Sequence, residues 1–338
     1  MFLKEKRPTI YDVAKEAGVS ISTVSKVMNG TGSIADKTKK KVEASMQKLS
    51  YQPIAAPALQ KRLQTIGLLI PSIADPFSAE IARKIEDNGR KYGFSLIVCS
   101  TDNNLVKEKE YIAILRKKYV DGIIIATGLK NAKALQELKN SNIPIALLSR
   151  EVPSLPLNTV LVNDYLGAYE ATSYLIKKGH QRIAMITEDM YFSSVKARVD
   201  GYKQALEDEQ MEASKSLISI DNSSFMDASQ SAGKLVNMQE PPTAIFASTE
   251  PLAIGAMQGV REAGLMIPDD VSIVGFDNSI LAQMCYPQLT TVAQPTEEMA
   301  EKIVQLLVEE INGTEKVKQR IVLAPKLVIR GTVGEGRQ

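Results

Sequence analysis

The sequence predicts an all-α helix-turn-helix head followed by an α/β body of two parallel-sheet lobes. Three observations carry this. Residues 9–30, TIYDVAKEAGVSISTVSKVMNG, hold two short helical patterns on either side of a glycine. From Ile66 onward, short apolar runs alternate with amphipathic stretches, which implies parallel strands covered by helices on both faces. At 338 residues the chain exceeds one ordinary domain, and it has more strand–helix units than one compact sheet holds.

In the head, Thr9 is placed to cap a first helix. Ile10, Val13, Ala14 and Ala17 recur at helical spacing as its buried face. Gly18 allows the left-handed backbone of a sharp turn, Val19 fills the corner and Ser20 caps a second helix. Val24 and Val27 pack back on the first helix, leaving Ile21, Ser22, Ser25, Lys26 and Asn29 outward. The second helix of such a motif enters the major groove of DNA. A third amphipathic helix, 36–49, turns Val42, Ser45, Met46 and Leu49 inward and Lys37, Lys40 and Lys41 outward. Residues 51–64 form a connector punctuated by Pro53 and Pro57.

In the body, strands are expected at 65–71, 94–101, 121–127, 143–149, 160–163, 183–187, 243–249 and 271–277. Helices are expected at 77–92, 105–118 and 164–178. The composition, 44% hydrophobic and 24% charged, is that of a globular chain. No apolar run approaches the roughly 20 residues of a membrane span, and the first residues lack an apolar signal core. Cys99 and Cys285 are too few for a disulfide framework and read as core filler in a reduced, cytoplasmic protein. Charge is uneven. Residues 1–62 hold twelve Lys or Arg against five Asp or Glu, whereas the rest holds 29 against 34. A basic head on an acidic body suits a module that binds a phosphate backbone.

The run at 9–30 closely resembles the DNA-binding head of the LacI/GalR family of bacterial repressors, T-I-x-D-V-A-x-x-A-G-V-S-x-x-T-V-S-R-V-x-N, with Lys26 where arginine is usual. The body resembles that family too, in IGLLIPSIADPFSAEIARKIED, KKGHQRIAMI, RVDGYKQAL, VSIVGFDNS and LTTVAQP. The resemblance implies a fold like that of periplasmic sugar-binding proteins, with three chain crossings. It puts about 65–160 and 291–322 in one lobe and about 161–290 and 323–338 in the other. It also implies a repressor acting as a homodimer on near-palindromic operator DNA, controlled by a small-molecule effector in the body (65–338).

By the same resemblance, Ile21, Ser22 and Lys26 read base edges. Lys26 can donate to guanine O6 and N7, and Ile21 can touch a thymine methyl. Thr9, Ser20, Thr23, Ser25 and Asn29 are placed for phosphates, with Ser20 open to a purely capping role. The connector departs from the family pattern Y-x-P-N-x-x-A-R-x-L. Tyr51 and Pro53 match, but Ile54 replaces the asparagine, the arginine is absent and Pro57 intrudes. Leu59 is then either a minor-groove wedge on a shortened hinge helix or a packing residue.

Ligands of parallel sheets bind outside the carboxyl ends of the strands. That rule selects Phe77 and Ser78, Ser149 and Arg150, Phe192, Ser194 and Arg198, Thr249 with its neighbour Glu250, and Asp277. Arg198 and Asp277 match the family's effector contacts. An arginine and a carboxylate can bracket a polyol's hydroxyls while Phe77 stacks on its apolar face. The competing roles are an interlobe salt bridge for Arg198 and a helix cap for Asp277. If both arginines face the cleft they favour an anionic sugar derivative, unless Arg150 pairs with Glu151 or Glu188. His180, the only histidine, reads as a structural contact, and no metal, cofactor or catalytic constellation is expected. The rival reading is a small-molecule binding protein or enzyme of the sugar-binding type with an accessory helical head.

Overall fold

A computed structural model describes residues 8–29, 34–49, 51, 64–127, 143–152, 154–190, 192–220, 224–314 and 317–336. The chain divides into two compact units, Met1–Leu63 and Gln64–Gln338. Leu59, with Ile54 and Pro57, lies outside the described residues, as does the side chain of Asn29.

Among the described residues, the first unit is three helices: α1 (Ile10–Ala17), α2 (Ile21–Asn29) and α3 (Asp36–Lys48). The Asp12 carboxylate accepts from the Thr9 N–H at 2.8 Å and the Thr9 hydroxyl at 2.7 Å, fixing the start of α1. Gly18 ends it at φ 60°. Val13, Ala14, Ala17, Val24 and Val42 form the buried core, against which Ile10, Val19, Val27, Met46 and Leu49 pack. Tyr51, expected in the connector, also packs on this core and donates its N–H to Met46 O at 2.9 Å.

The second unit holds two six-stranded sheets. The first contains β1 (Thr65–Ile70), β2 (Ser95–Ser100), β3 (Gly122–Ile125), β4 (Ile145–Leu148), β5 (Asn158–Val162) and β11 (Arg320–Leu323), in the order β11-β5-β4-β3-β1-β2. Every pairing in it is parallel. The second contains β6 (Ile183–Thr187), β7 (Ile218–Ile220), β8 (Ala244–Ala247), β9 (Ser272–Asp277), β10 (Thr290–Ala293) and β12 (Lys326–Val328), in the order β12-β10-β9-β8-β6-β7. Only its β12–β10 edge is antiparallel.

Helices cover both faces of each sheet, which is why β3, β4, β6, β8 and β9 are buried at every residue. In the first lobe, Ile66, Leu68 and Ile70 face a core shared with α4 (Pro76–Lys91) and α11 (Thr296–Ile311), and Leu69 faces α5 (Leu105–Lys117). In the second, Ala184 and Ile186 face α8 (Phe225–Val236) and α9 (Glu250–Glu262). Ile183 and Met185 face α6 (Asp164–Lys177) and α7 (Ser193–Asp208). Gly201 is needed where α7 meets α6, because a Cβ there would lie 2.2 Å from Tyr165 O.

The chain passes between lobes after β5, after β10 and after β11. The expected crossing near 160 falls inside β5, and the one near 291 falls inside β10. Parallel register binds Thr290–Ala293 to Val274–Asp277 of β9 and so keeps that strand in the second lobe. Among the described residues, no helix is long and apolar enough to cross a membrane.

Candidate functional site: recognition helix and interlobe cleft

The first candidate surface is α2. Val24 is fully buried, whereas Ile21 (41% exposed), Ser22 and Lys26 stand in solvent on other sides of the same helix. Three side chains proposed from sequence to read bases are therefore free of the core that positions them. Ser20 is a helix cap: its Oγ accepts from the Thr23 N–H at 3.1 Å and lies 2.8 Å from Thr23 Oγ1. Thr9 is exposed beside Asp12, and Ser25 is half-buried.

The second is a cavity of about 560 Å³ in the body, open between the two sheets. All nine residues proposed for the cleft from sequence line it: Phe77, Ser78, Ser149, Arg150, Phe192, Ser194, Arg198, Thr249 and Asp277. They meet because each lies at or beyond the carboxyl end of a parallel strand. Five lining acids were missing from that set of effector contacts. Asp75 caps α4, accepting from the Ser78 N–H at 2.9 Å and its hydroxyl at 2.6 Å. Asp102 follows β2, Asp164 opens α6, and Glu188 and Asp189 follow β6. Gln294, after β10, was missed for another reason: the sequence reading had no strand there.

Arg198 is buried and tied on every side. Its Nε and Nη2 each lie 2.8 Å from Asp164 Oδ1, Nη1 donates to Ser248 O, and Asp277 Oδ1 is 3.8 Å away. Its guanidinium carbon sits 3.6 Å from the Phe276 ring centroid. The ion pair joins α6 to α7 within the second lobe, so it is not an interlobe bridge. Asp277 holds φ 106°, a left-handed conformation rare for any residue but glycine and typical of constrained sites. Gln294 donates to its Oδ1 at 2.7 Å and the Glu250 N–H to its Oδ2 at 3.4 Å, so it caps α9 while lining the cavity. Burial pushes Asp277 up to about 6, with Asp75 adding repulsion and Arg198 opposing.

Glu250 itself does not line the cavity. It is buried behind it, accepting from the Ser279 N–H at 3.0 Å and bonded to the Ser279 hydroxyl. Burial pushes it up to about 7, and Asp277 adds to the rise. Arg150 pairs with neither proposed acid. Glu151 is held by Arg320 at 2.9 Å, and Glu188 acts on Arg198. Arg150 instead lies 5.7 Å from the ring centroid of Phe192, across from the second lobe's α7. The lining as a whole carries Asp75, Asp102, Asp164, Glu188, Asp189 and Asp277 against two arginines, which removes the simple argument that a pair of arginines makes the cleft anionophilic. His180 lies elsewhere, with Nδ1 2.9 Å from Thr243 Oγ1.

These two sites can be set beside known proteins. Residues 9–53 match the model of "bacterial regulatory proteins, lacI family", and residues 172–333 match a periplasmic binding protein-like domain. HTH-type transcriptional regulator DegA of Bacillus subtilis is 44% identical over 329 residues, 96% of this chain and 97% of that one. The lac repressor dimer bound to operator and the anti-inducer ONPF superimposes with a TM-score of 0.76 at 28% identity, covering 97% of this chain and 100% of that one. A LacI family regulator from Enterococcus faecium with bound ribose gives 0.75 at 32% identity, over 81% and 100% of the two chains. A helix-turn-helix head and a two-lobed binding-protein body, matched end to end by such regulators, place this chain in the LacI family of bacterial transcription regulators.

Proposed function

We propose that this protein is a repressor that binds a near-palindromic operator as a homodimer and is controlled by a sugar-class effector in the interlobe cleft. It acts in the cytoplasm and catalyses nothing. Residues 1–50 are the DNA-binding head, 51–64 the linker and 65–338 the effector and dimer domain. The observation that carries the DNA half is the exposed trio Ile21, Ser22 and Lys26 on a helix anchored by buried Val24. In this reading the trio reads bases, Thr9, Thr23, Ser25 and Asn29 hold phosphates, and Leu59 wedges the minor groove. The observation that supports the effector half is the 560 Å³ cavity, of the size small ligands occupy, walled by both lobes. Control requires an effector that prefers one lobe arrangement, and coupling of about 1.4 kcal/mol changes operator affinity tenfold.

The test is operator selection from random duplexes followed by anisotropy titration of wild type and Lys26→Ala. The variant should lose about 1–3 kcal/mol on the selected operator and tolerate more bases at one position of each half-site. An unaltered base preference removes Lys26 from the reading surface. A binding protein with an accessory head is disfavoured, because the relatives matched over nearly the whole chain are transcription regulators.

A further inference from the structure

The cavity's two arginines differ in what they are bonded to. Arg198 is neutralised by Asp164 and Asp277. Arg150 has no ion pair among the described residues, and its Nε is buried without a hydrogen-bond partner. The adjoining Ser149 hydroxyl is buried and unpartnered as well, on a residue held at φ 55°. Burial pushes the Arg150 guanidinium down to about 10, and the carboxylate that opposes this is Glu108. Glu108 is a weak counter-ion. It is buried, its Oε2 accepts from Thr127 Oγ1 at 2.8 Å, and burial pushes it toward its neutral form.

An orphaned donor in a wall costs the free energy of its lost hydration, and a ligand acceptor restores it. We propose that the effector is a polyhydroxylated monocarboxylic acid, its carboxylate received by Arg150 and Ser149 and its hydroxyls by the Arg198–Asp277 end of the cavity. This rests on the effector-cleft reading above. The charge layout fixes the orientation. Asp75 and Asp277 already repel each other at the far end, so an added carboxylate there meets like charge. It also favours a carboxylate over a phosphate. One guanidinium and one hydroxyl match a single negative charge, and a dianion would be left half-neutralised in a cavity lined by six acidic side chains. Phe192 holds the guanidinium from the opposite lobe, so the acid end and the closure of the cleft meet at one contact.

Calorimetric titration of the full chain tests this, with D-gluconate, D-glucuronate and D-galacturonate set against D-glucose, D-galactose and D-glucose 6-phosphate. At least one acid should bind about tenfold more tightly than its neutral counterpart. Arg150→Gln should erase that preference and Arg150→Lys retain part of it, with melting curves confirming that each variant folds. If Arg150→Gln melts early, Ser149→Ala should still weaken the acid about threefold or more. The proposal is overturned if neutral sugars match the acids, if the phosphate outranks every carboxylate, if no acid binds at about 10 mM, or if Arg150→Gln binds the acid like wild type. Operator binding is followed in parallel. A protein that grips its operator but ignores the acids loses only this proposal, whereas one that binds no operator loses the regulator reading.

Discussion

The second lobe meets the cleft with a network closed around Arg198, beside which the Thr249 hydroxyl lies buried and unbonded. Arg198, Asp164, Asp277 and Gln294 are bonded to one another, and Glu250 and Ser279 stand behind them. The first lobe meets it with Ser149 and Arg150, whose Oγ and Nε lie buried and unbonded, and with Phe77 packed on the lobe's own core. Both walls are assembled by the same rule, loops at the carboxyl ends of parallel strands. The fold therefore decides where ligand-facing residues sit, and the particular side chains decide whether they are already satisfied. A satisfied cation is preorganised and discriminates by shape, whereas an unsatisfied one supplies the interactions that a ligand completes.

The sharpest way to break this contrast is Arg198→Ala. It leaves Asp164 and Asp277 buried without their cation, so the body should lose about 3–5 kcal/mol in urea unfolding. A loss below about 1 kcal/mol would mean that the network contributes little. Next is Glu250→Gln. Because the folded state holds the Glu250 proton up to about pH 7, against 4.5 for an ordinary glutamate, stability from this group is full below pH 4.5 and falls as pH rises to 7. The variant should lack that fall and gain on wild type by about 2–3 kcal/mol across the window, as read from unfolding midpoints at successive pH. The smallest effect belongs to the other wall. Arg150→Gln should change unliganded stability by no more than about 1 kcal/mol, and in the stabilising direction, since it removes a charge that lacks a partner. A large loss there would show that Arg150 is as fully bonded as Arg198.

Much of this site is legible in the sequence. Strand-ending positions such as Ser149, Thr249 and Asp277 follow from hydrophobic runs alone, and the exposed face of α2 follows from helical spacing around Val24. Pairing was not legible. Arg198 and Asp164 are 34 residues apart and meet only because Gly201 lets α7 lie directly on α6. The caps divided between the two outcomes. Ser20 caps α2 as its position before a helix suggests, whereas Asp277 caps α9, a helix that begins 27 residues earlier in the chain. Strand β10 was missed because TTVA is short and carries two threonines, so no apolar run marks it.

The three crossings between lobes have a consequence for synthesis on the ribosome. The first lobe's core waits for Met299, Ile303, Val304 and Leu307 of α11, and its sheet waits for β11 at Arg320–Leu323. The second lobe begins after the first has made five of its six strands, and it closes only with β12 at Lys326–Val328. Neither lobe is a contiguous stretch of chain, so neither can mature while the other is still emerging. Both carry an open parallel edge until β11 and β12 leave the exit tunnel, whereas the head, built wholly from local contacts, is free to fold hundreds of residues earlier.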